Sequence, residues 1–497
     1  MSKRISMHAA VIGALAVAAG ADDWTHYAQN SSRVSAVPLA LRPDAPIGGV
    51  EWTAATGPSG QSLEFLGQSS VVQSGDHVVA LGWVGGVFSA IDVRRADGSV
   101  RWFTPIAAPA LDSWASPAID AVNESAIVAT GRQVRALALS DGVIRWTVST
   151  NRDIANASPL VTTDLGAGDR AFITDFGFSS VPGRLYCINV DPFDAALNPY
   201  TPGQVVWSKS IGQISGATPA LAGDKVIIAT GDGRILAFPV DAAAPPEPVW
   251  ERSNPTGLGF FGAVAVRGNF AYAASYSFHG GQTSANLIKL NVHTGALLWS
   301  APCNRTDAAP IPLANGTILL SGGISGFGSM PSLELFADLG ASGFLIWDTH
   351  LAGGPSVGYW MHTPIAVESS HGYQVLVSAP PAGDPYGPSS ETLRLDLSKM
   401  PSDPAFVMQT LSGSGVSAIG GGGKMFGFGP AGLVARFVPM SACPADFDES
   451  GSVDFFDIIA YLDAYSAGDS AADLNGDGTV NFFDLQDFLG LYTTGCS

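Results

Sequence analysis

Lys289-Leu-Asn291-Val-His-Thr294-Gly295-Ala-Leu-Leu-Trp299 is the stretch from which the fold can be read. It reads as the end of one strand, a turn at Thr294-Gly295, and a second strand closed by a Trp. Working outward, the same ending returns along the chain. It is found at Gly49-Val-Glu-Trp52, Asp97-Gly-Ser-Val-Arg-Trp102, Asp141-Gly-Val-Ile-Arg-Trp146, Gly203-Gln-Val-Val-Trp207, Glu247-Pro-Val-Trp250 and Ser342-Gly-Phe-Leu-Ile-Trp347. An eighth copy, Phe406-Val-Met408, carries Met in place of Trp. Successive copies lie 50, 44, 61, 43, 49, 48 and 61 residues apart. A second signal runs in phase, at Ser116-Pro117, Ser158-Pro159, Thr218-Pro219, Ala309-Pro310 and Thr363-Pro364, with weaker versions near Ser70, Ala263 and Ser417. Each is followed by a strand opened by Gly or Asn, as at Gly223-Asp-Lys-Val-Ile-Ile-Ala.

Several short strands per period of about 50 residues imply one sheet per repeat. A lone sheet cannot bury both faces, and radial packing solves this as a β-propeller. We therefore expect an all-β, eight-bladed propeller of four-stranded blades over residues 22–439. The tryptophans Trp52, Trp102, Trp146, Trp207, Trp250, Trp299 and Trp347 would wedge between blades. Composition agrees. The chain has 497 residues, 46% hydrophobic and only 13% charged, with 59 Gly and 33 Pro, which suits short strands and turns rather than long helices.

These repeats resemble the pyrroloquinoline-quinone (PQQ) repeat family, whose docking signature is roughly Ala-x-Asp-x-x-Thr-Gly-x-x-x-Trp. The opening stretch matches it best, Ala136 to Trp146 next, and the start Asp23-Trp24-Thr-His-Tyr27 with Arg33 is similar to the opening of such propellers. The resemblance implies eight blades; the motif specifies architecture, not chemistry. Quinone-dependent members carry a Cys-Cys pair against the quinone, an axial Ca²⁺ and an Asp base. This chain has no Cys-Cys dipeptide and no assignable axial metal set, which argues against PQQ as its cofactor.

The N-terminus reads as an export signal: basic Lys3 and Arg4, an apolar run Ala9–Ala19, and a small-x-small site at Ala19-Gly20-Ala21. Residues 1–21 would be removed, and the mature chain would be secreted, extracellular, cell-surface associated or periplasmic. No later run is apolar and long enough to span a bilayer. The formal charge of −19 argues against nucleic acid as a partner.

After a short linker, 440–442, the character changes. Residues 443–497 hold 11 acidic residues and no Lys or Arg. Two copies of one pattern lie 27 residues apart: Asp446, Asp448, Ser450, Ser452, Asp454, Asp457, and Asp473, Asn475, Asp477, Thr479, Asn481, Asp484. Oxygen donors at positions 1, 3, 5, 9 and 12, a backbone carbonyl at 7 and Gly at 6 are what a Ca²⁺ loop needs, so two calcium ions are expected. An apolar helix follows each loop, Ile458–Tyr465 and Leu485–Tyr492. The duplicated loop–helix unit with Asp at position 12 resembles a dockerin, of the kind ending in Gly-Cys. That resemblance implies a Cys443–Cys496 disulfide and docking onto a protein partner or cell-surface receptor. The Phe455-Phe456 and Phe482-Phe483 pairs depart from the polar or basic residues of cellulosomal dockerins. They are either core residues or an exposed docking patch. Cys187 and Cys303 fall in different repeats and are expected unpaired.

For chemistry, Glu64, Asp112, Asp153 and Asp175 are candidate channel carboxylates. Phe65, Trp114, Phe260, Phe261, Tyr359, Trp360 and His362 are candidate funnel residues. They would either stack on a carbohydrate or hold an apolar peptide, or simply pack the loops. Two functions stay open: a non-catalytic binding propeller displayed by the docking module, or an extracellular enzyme carried by it, PQQ-dependent or carbohydrate-active.

Overall fold

A computed structural model describes the chain from Asp23 to Thr494, except residues 38–44, 68, 111–112, 164, 166–167, 178–180, 213–215, 278–283, 326–328, 370–371, 384–385, 421–422, 439–444, 446, 448–452, 470–471, 473 and 475–478. The export signal, the linker, Cys443, Cys496, Asp112 and the loop positions Asp446, Asp448, Ser450, Ser452, Asp473, Asn475 and Asp477 therefore lie outside the described residues.

Eight sheets form a ring of eight blades. In blade 5 the strands Ala265–Arg267, Phe270–Tyr276, Ala285–Asn291 and Leu297–Pro302 run antiparallel from the axis outward. Blades 3, 4 and 6 repeat that order, with inner strands Leu160–Val161, Ala220–Ala222 and Ile311–Pro312. Blade 1 gains Leu63–Phe65 as an additional strand. Blade 7 (inner strand Ile365–Ser369) gains Ala36–Val37, which pairs in parallel. Blade 2 has the single 14-residue element Ser125–Ala138 where others have two strands. This element reverses at Gly131, so that the Leu139 N–H reaches the Glu124 carbonyl at 2.9 Å and the blade regains its fourth layer.

Ring closure explains the offset between the first repeat and the rest. Val50–Ala54 is the outer strand of the last blade, paired with Gly432–Phe437. Trp52 thus belongs to blade 8, and blade 7 is the one with Met408. Joining the two ends of the repeat region in one sheet removes the open edges of an unclosed ring.

The recurring Trp has a defined seat. Trp250 of blade 4 lies against Gly295 of blade 5, and its Nε1 donates to the Val292 carbonyl at 2.8 Å. Trp299 in turn lies against Gly343 of blade 6 and donates to Asp338 at 3.0 Å. Trp52 and Trp102 sit likewise on Gly98 and Gly142, with Nε1 on the Arg95 and Leu139 carbonyls. Trp146 covers Gly203, Trp207 donates to Ala242, and Trp347 meets Phe406 edge-on. Gly295 is required on two counts: its φ is +65°, and a Cβ there would meet the Trp250 ring at 2.6 Å. The turn of the opening stretch is held by Asn291, whose side-chain oxygen accepts from the His293 and Thr294 N–H groups.

Two helices follow, α1 (Phe455–Ala467) and α2 (Phe482–Thr494). Each starts three residues earlier than the apolar pattern suggested, because the Phe pair forms its first turn. The Tyr461 and Phe488 rings stack at 4.0 Å in the core between them.

Candidate functional site

The Ser/Thr-Pro repeats sit where the inner strands begin, and their hydroxyls tie each blade to the next. Ser70 N donates to Ser116 Oγ at 2.7 Å, Ser116 N to Ser158 Oγ at 2.9 Å, and Ser158 N to Thr218 Oγ1 at 3.0 Å. Val71 N donates to Ser417 Oγ at 2.8 Å, which links blades 8 and 1. A hydroxyl beside Pro is the right group here, since Pro leaves no N–H at the next position and the neighbouring blade supplies a donor.

The axis is occupied by the chain's own N-terminal strap, residues 23–37. Trp24 exchanges backbone hydrogen bonds with Gln73 of blade 1, and the Thr25 carbonyl accepts from Ile119 of blade 2. The carbonyls of Ser31, Ser32 and Ser35 accept from Leu221, Val266 and Ala366 of blades 4, 5 and 7. His26 Nε2 is 3.1 Å from the Val161 backbone, and burial pulls its imidazole down to about 3, so it is neutral. Tyr27 shares its hydroxyl with Thr363 at 2.6 Å. Arg33, wholly buried, donates to the carbonyls of Pro159 at 2.8 Å, Pro219 at 2.9 Å and Tyr27 at 3.2 Å. Burial pulls its guanidinium down to about 9, which leaves it a cation at neutral pH.

The aromatic funnel is packed rather than open. Trp114, between blades 1 and 2, meets Trp360, between blades 6 and 7, edge-to-face at 6.0 Å. Trp360 also meets Tyr276 at 5.9 Å and covers the Arg305 guanidinium at 4.6 Å. Phe260 is buried in the blade 4–5 core, Phe261 lies on Tyr276, and Phe65 stacks on Phe428 at 5.4 Å. Tyr359 and His362 stack on one another at 5.1 Å, and His362 Nε2 accepts from Ser378 N at 3.0 Å. Phe65, Trp114, Phe260, Phe261 and Trp360 thus lie against neighbouring side chains. Phe65 is corrected in one respect: it belongs to the additional strand of blade 1, not to the approach to an inner strand.

Of the carboxylates singled out, Asp112 lies outside the described residues and the other three have separate surroundings. Glu64 is exposed on the added strand, Asp153 pairs with Arg132 at 3.2 Å, and buried Asp175 accepts from Arg184 N at 2.7 Å and Tyr186 Oη at 2.8 Å. Two other buried acids belong to blade 6, Asp307 in the loop before its inner strand and Glu334 on its third strand. Asp307 lies among Tyr276, Trp360 and Arg305, and burial pushes its carboxyl up to about 7 against the opposing pull of those three groups. Glu334 accepts from Asn304 N at 2.8 Å, and burial raises it to about 8, with Asp348 adding to the rise. The sequence signal for Asp307 was the polar run Asn304-Arg305-Thr306-Asp307 just before Ala309-Pro310; Glu334 had none. Cys187 and Cys303 are buried free thiols, both raised by burial, Cys187 to about 12.

Two hollows border this region. One is apolar, lined by Ile324, Pro331, Trp360, Pro380 and Pro381 among others. The other lies between the strap and blades 7, 8 and 1, with a water-accessible space of about 30 Å³, room for two or three waters. Among the described residues its walls carry no charged side chain. The described lining of this hollow, neutral hydroxyls without a counter-charge, does not fit a tricarboxylic quinone with its metal. Among the described residues no cluster of three His, Cys, Asp or Glu is placed to hold a metal.

In the C-terminal module the described loop residues repeat their geometry. Asp454 accepts from Phe456 N at 2.8 Å, and Asp457 Oδ2 accepts from Asp454 N at 2.7 Å. Asn481 accepts from Phe483 N at 2.9 Å, and Asp484 Oδ2 accepts from Asn481 N at 2.7 Å. The first is a capping box, the second repeats the Asp484-to-Asn481 half of one, and Asp457 and Asp484 are both wholly buried. Thr479 precedes the second box, where its carbonyl accepts from Asn481 Nδ2. All four phenylalanines are exposed, Phe455 and Phe456 at 65%, Phe482 at 66% and Phe483 at 64%. Of the two readings left open, the structure shows the exposed one.

Comparison with known proteins adds a family. The family model described as "Outer membrane protein assembly factor BamB" matches residues 11–191 and 195–378. Among solved structures, BamB from Moraxella catarrhalis superposes with a TM-score of 0.50 at 19% identity, over 76% of this chain and 96% of that one. The quinohemoprotein alcohol dehydrogenase of Comamonas testosteroni gives 0.54 at 11% identity, over 85% and 81%. Another, ADHIIG of Pseudomonas putida HK5, gives 0.57 at 11%, over 87% and 83%. At such identities these likenesses show the fold alone. No relative is found among curated proteins.

Proposed function

Because the chain belongs to the family described as outer membrane protein assembly factor BamB, we propose that it is an exported, non-catalytic interaction propeller, working outside the cytoplasm and attached to a protein partner by its C-terminal module. The observation that carries this is the filled axis. The place where a ring of blades would cradle a reactive cofactor is taken up by the strap, with Arg33 wholly buried in it, and is covered by Trp114 and Trp360. Among the described residues no helix is long and apolar enough to cross a membrane.

The module extends the proposal. Asp446, Asp448, Ser450, Ser452, Asp454 and Asp457 would hold one calcium ion, and Asp473, Asn475, Asp477, Thr479, Asn481 and Asp484 a second. The inward-turned Asp457 and Asp484 support this, because position 12 closes such a loop. A Cys443–Cys496 disulfide would staple its ends. The exposed Phe pairs, set in a region with 11 acidic residues and no basic ones, suit a partner with an apolar groove rimmed by Lys and Arg.

The deciding experiment titrates the mature chain with PQQ and Ca²⁺, following visible absorbance and dye-linked oxidation of alcohols and aldoses. We expect no stoichiometric uptake. Uptake with turnover would make the protein an exported dehydrogenase and end the proposal. In parallel, a pull-down from cell envelopes should recover a partner in Ca²⁺ and lose it in EDTA. It should lose it also with Phe455→Ser/Phe456→Ser/Phe482→Ser/Phe483→Ser. Equal recovery by that variant would remove the Phe pairs from the docking face.

A further inference from the structure

We infer that the hollow between the strap and blades 7, 8 and 1 is a binding site for a small neutral polyol of about glycerol size. The inference concerns the propeller alone and does not rest on the docking module.

Three observations carry it. First, the cavity is polar without charge. Ser69, Ser70, Ser378, Ser389 and Ser417 line it, together with Tyr27, Thr363 and His362, and among the described residues no Asp, Glu, Lys or Arg does. An ion there would have no counter-charge, so the occupant is neutral. Its imidazole is no exception: His362 accepts the Ser378 N–H, and burial pulls its pKa down to about 3.

Second, two of the residues that line it carry a polar atom without a partner. Trp24 Nε1 and Ser35 Oγ are buried without any hydrogen bond, Trp24 being 1% and Ser35 0% exposed. Both come from the strap and both line the hollow. Buried donors are almost always satisfied, so an acceptor belongs beside them. The other serines are engaged. Ser378 Oγ accepts from Val416 N at 2.9 Å, and Ser417 Oγ accepts from Val71 N at 2.8 Å. Each keeps hydroxyl capacity for one more neighbour.

Third, size and shape set the limit. A water-accessible space of about 30 Å³ takes two or three waters. A three-carbon polyol replaces such a group hydroxyl for water, and its C–H faces have the stacked Tyr359–His362 rings and Phe428 to lie on.

The test uses the full mature chain and ligand-observed saturation-transfer NMR with glycerol. Glycerate serves as a charged competitor of the same length. Variants Ser35→Ala and Trp24→Phe each delete one unpartnered donor, the first with little change of volume and the second with a smaller ring. We expect saturable glycerol binding that glycerate does not displace, weakened roughly tenfold in each variant, the size of one lost hydrogen bond. Circular dichroism should be unchanged. An absence of saturable binding in the wild type would mean that waters alone fill the hollow, and would overturn the inference. Unaltered affinity in the variants, or displacement by glycerate, would overturn it too. Should Trp24→Phe fail to fold, Ser35→Ala decides.

Discussion

Asp307 and Glu334 are buried acids whose carboxyls are pushed up to about 7 and about 8. In the unfolded chain both ionise near 4. Between those values the folded protein keeps a proton that the unfolded chain has released, so stability falls as pH rises, by about 1.4 kcal/mol per pH unit for each group. His26 and His362 act in the opposite sense. Both are pulled down to about 3, so they cost stability as pH falls below the ordinary histidine value of 6.5. Asp169, raised to about 6, has ionised by then. The window from pH 6.5 to 8 therefore belongs to Asp307 and Glu334. Urea midpoints measured across it should decline for the wild type and stay nearly level for Asp307→Asn/Glu334→Gln. Parallel declines would show that neither acid controls the slope. That either acid is interior was not legible in the sequence, which for Asp307 showed only a polar run and for Glu334 nothing. Only the packing of Tyr276, Arg305 and Trp360, which come from three separate loops and strands, makes Asp307 an interior group.

At the level of single elements, the Trp-closed strand was legible and its partner was not. The sequence shows Trp at a period of about 50 and Gly in the preceding turn. It does not show that Trp250 sits on Gly295, or Trp299 on Gly343, since each contact joins one repeat to the next. Trp299→Ala would remove the wedge and the hydrogen bond to Asp338 together. We expect it to lower stability by about 3–5 kcal/mol. Trp114→Phe keeps an aromatic at the funnel and should cost much less. Denaturant unfolding of the two variants checks the contrast, and similar losses would refute the wedge. The helices failed for a physical reason as well. Phe455, Phe456, Phe482 and Phe483 are apolar yet exposed, so periodicity placed the helix starts behind them. The caps Asp454 and Asn481 mark the true starts. Replacing either by Ala should cost about 1 kcal/mol of module stability, read from helical ellipticity on heating.

Across the whole molecule, eight in-phase copies made ring architecture legible, because a repeat whose sheet cannot bury both faces has few other solutions. The strap was not legible. Its fifteen residues carry no repeat, and their partners lie scattered from Gln73 to Val367. Charge is divided unevenly, with the last 55 residues carrying 11 acids and no bases while the rest is far less acidic for its length. That division sets the last prediction. Apart from cation binding, an acidic pair of short helices with a core as small as Tyr461, Ala472 and Phe488 has little to offset its self-repulsion. The propeller core needs no such help, being apolar, closed and tied at its axis by the strap. EDTA added to the mature chain should therefore melt α1 and α2, 26 helical residues, as a first transition that Ca²⁺ restores. Near-ultraviolet signals from the blade tryptophans should persist to a second, higher transition that EDTA does not shift. If chelation instead lowers both transitions together, the propeller holds a cation of its own. The neutral axial hollow would then be the wrong description of its centre, and the reading of the ring as a non-catalytic platform would fall with it.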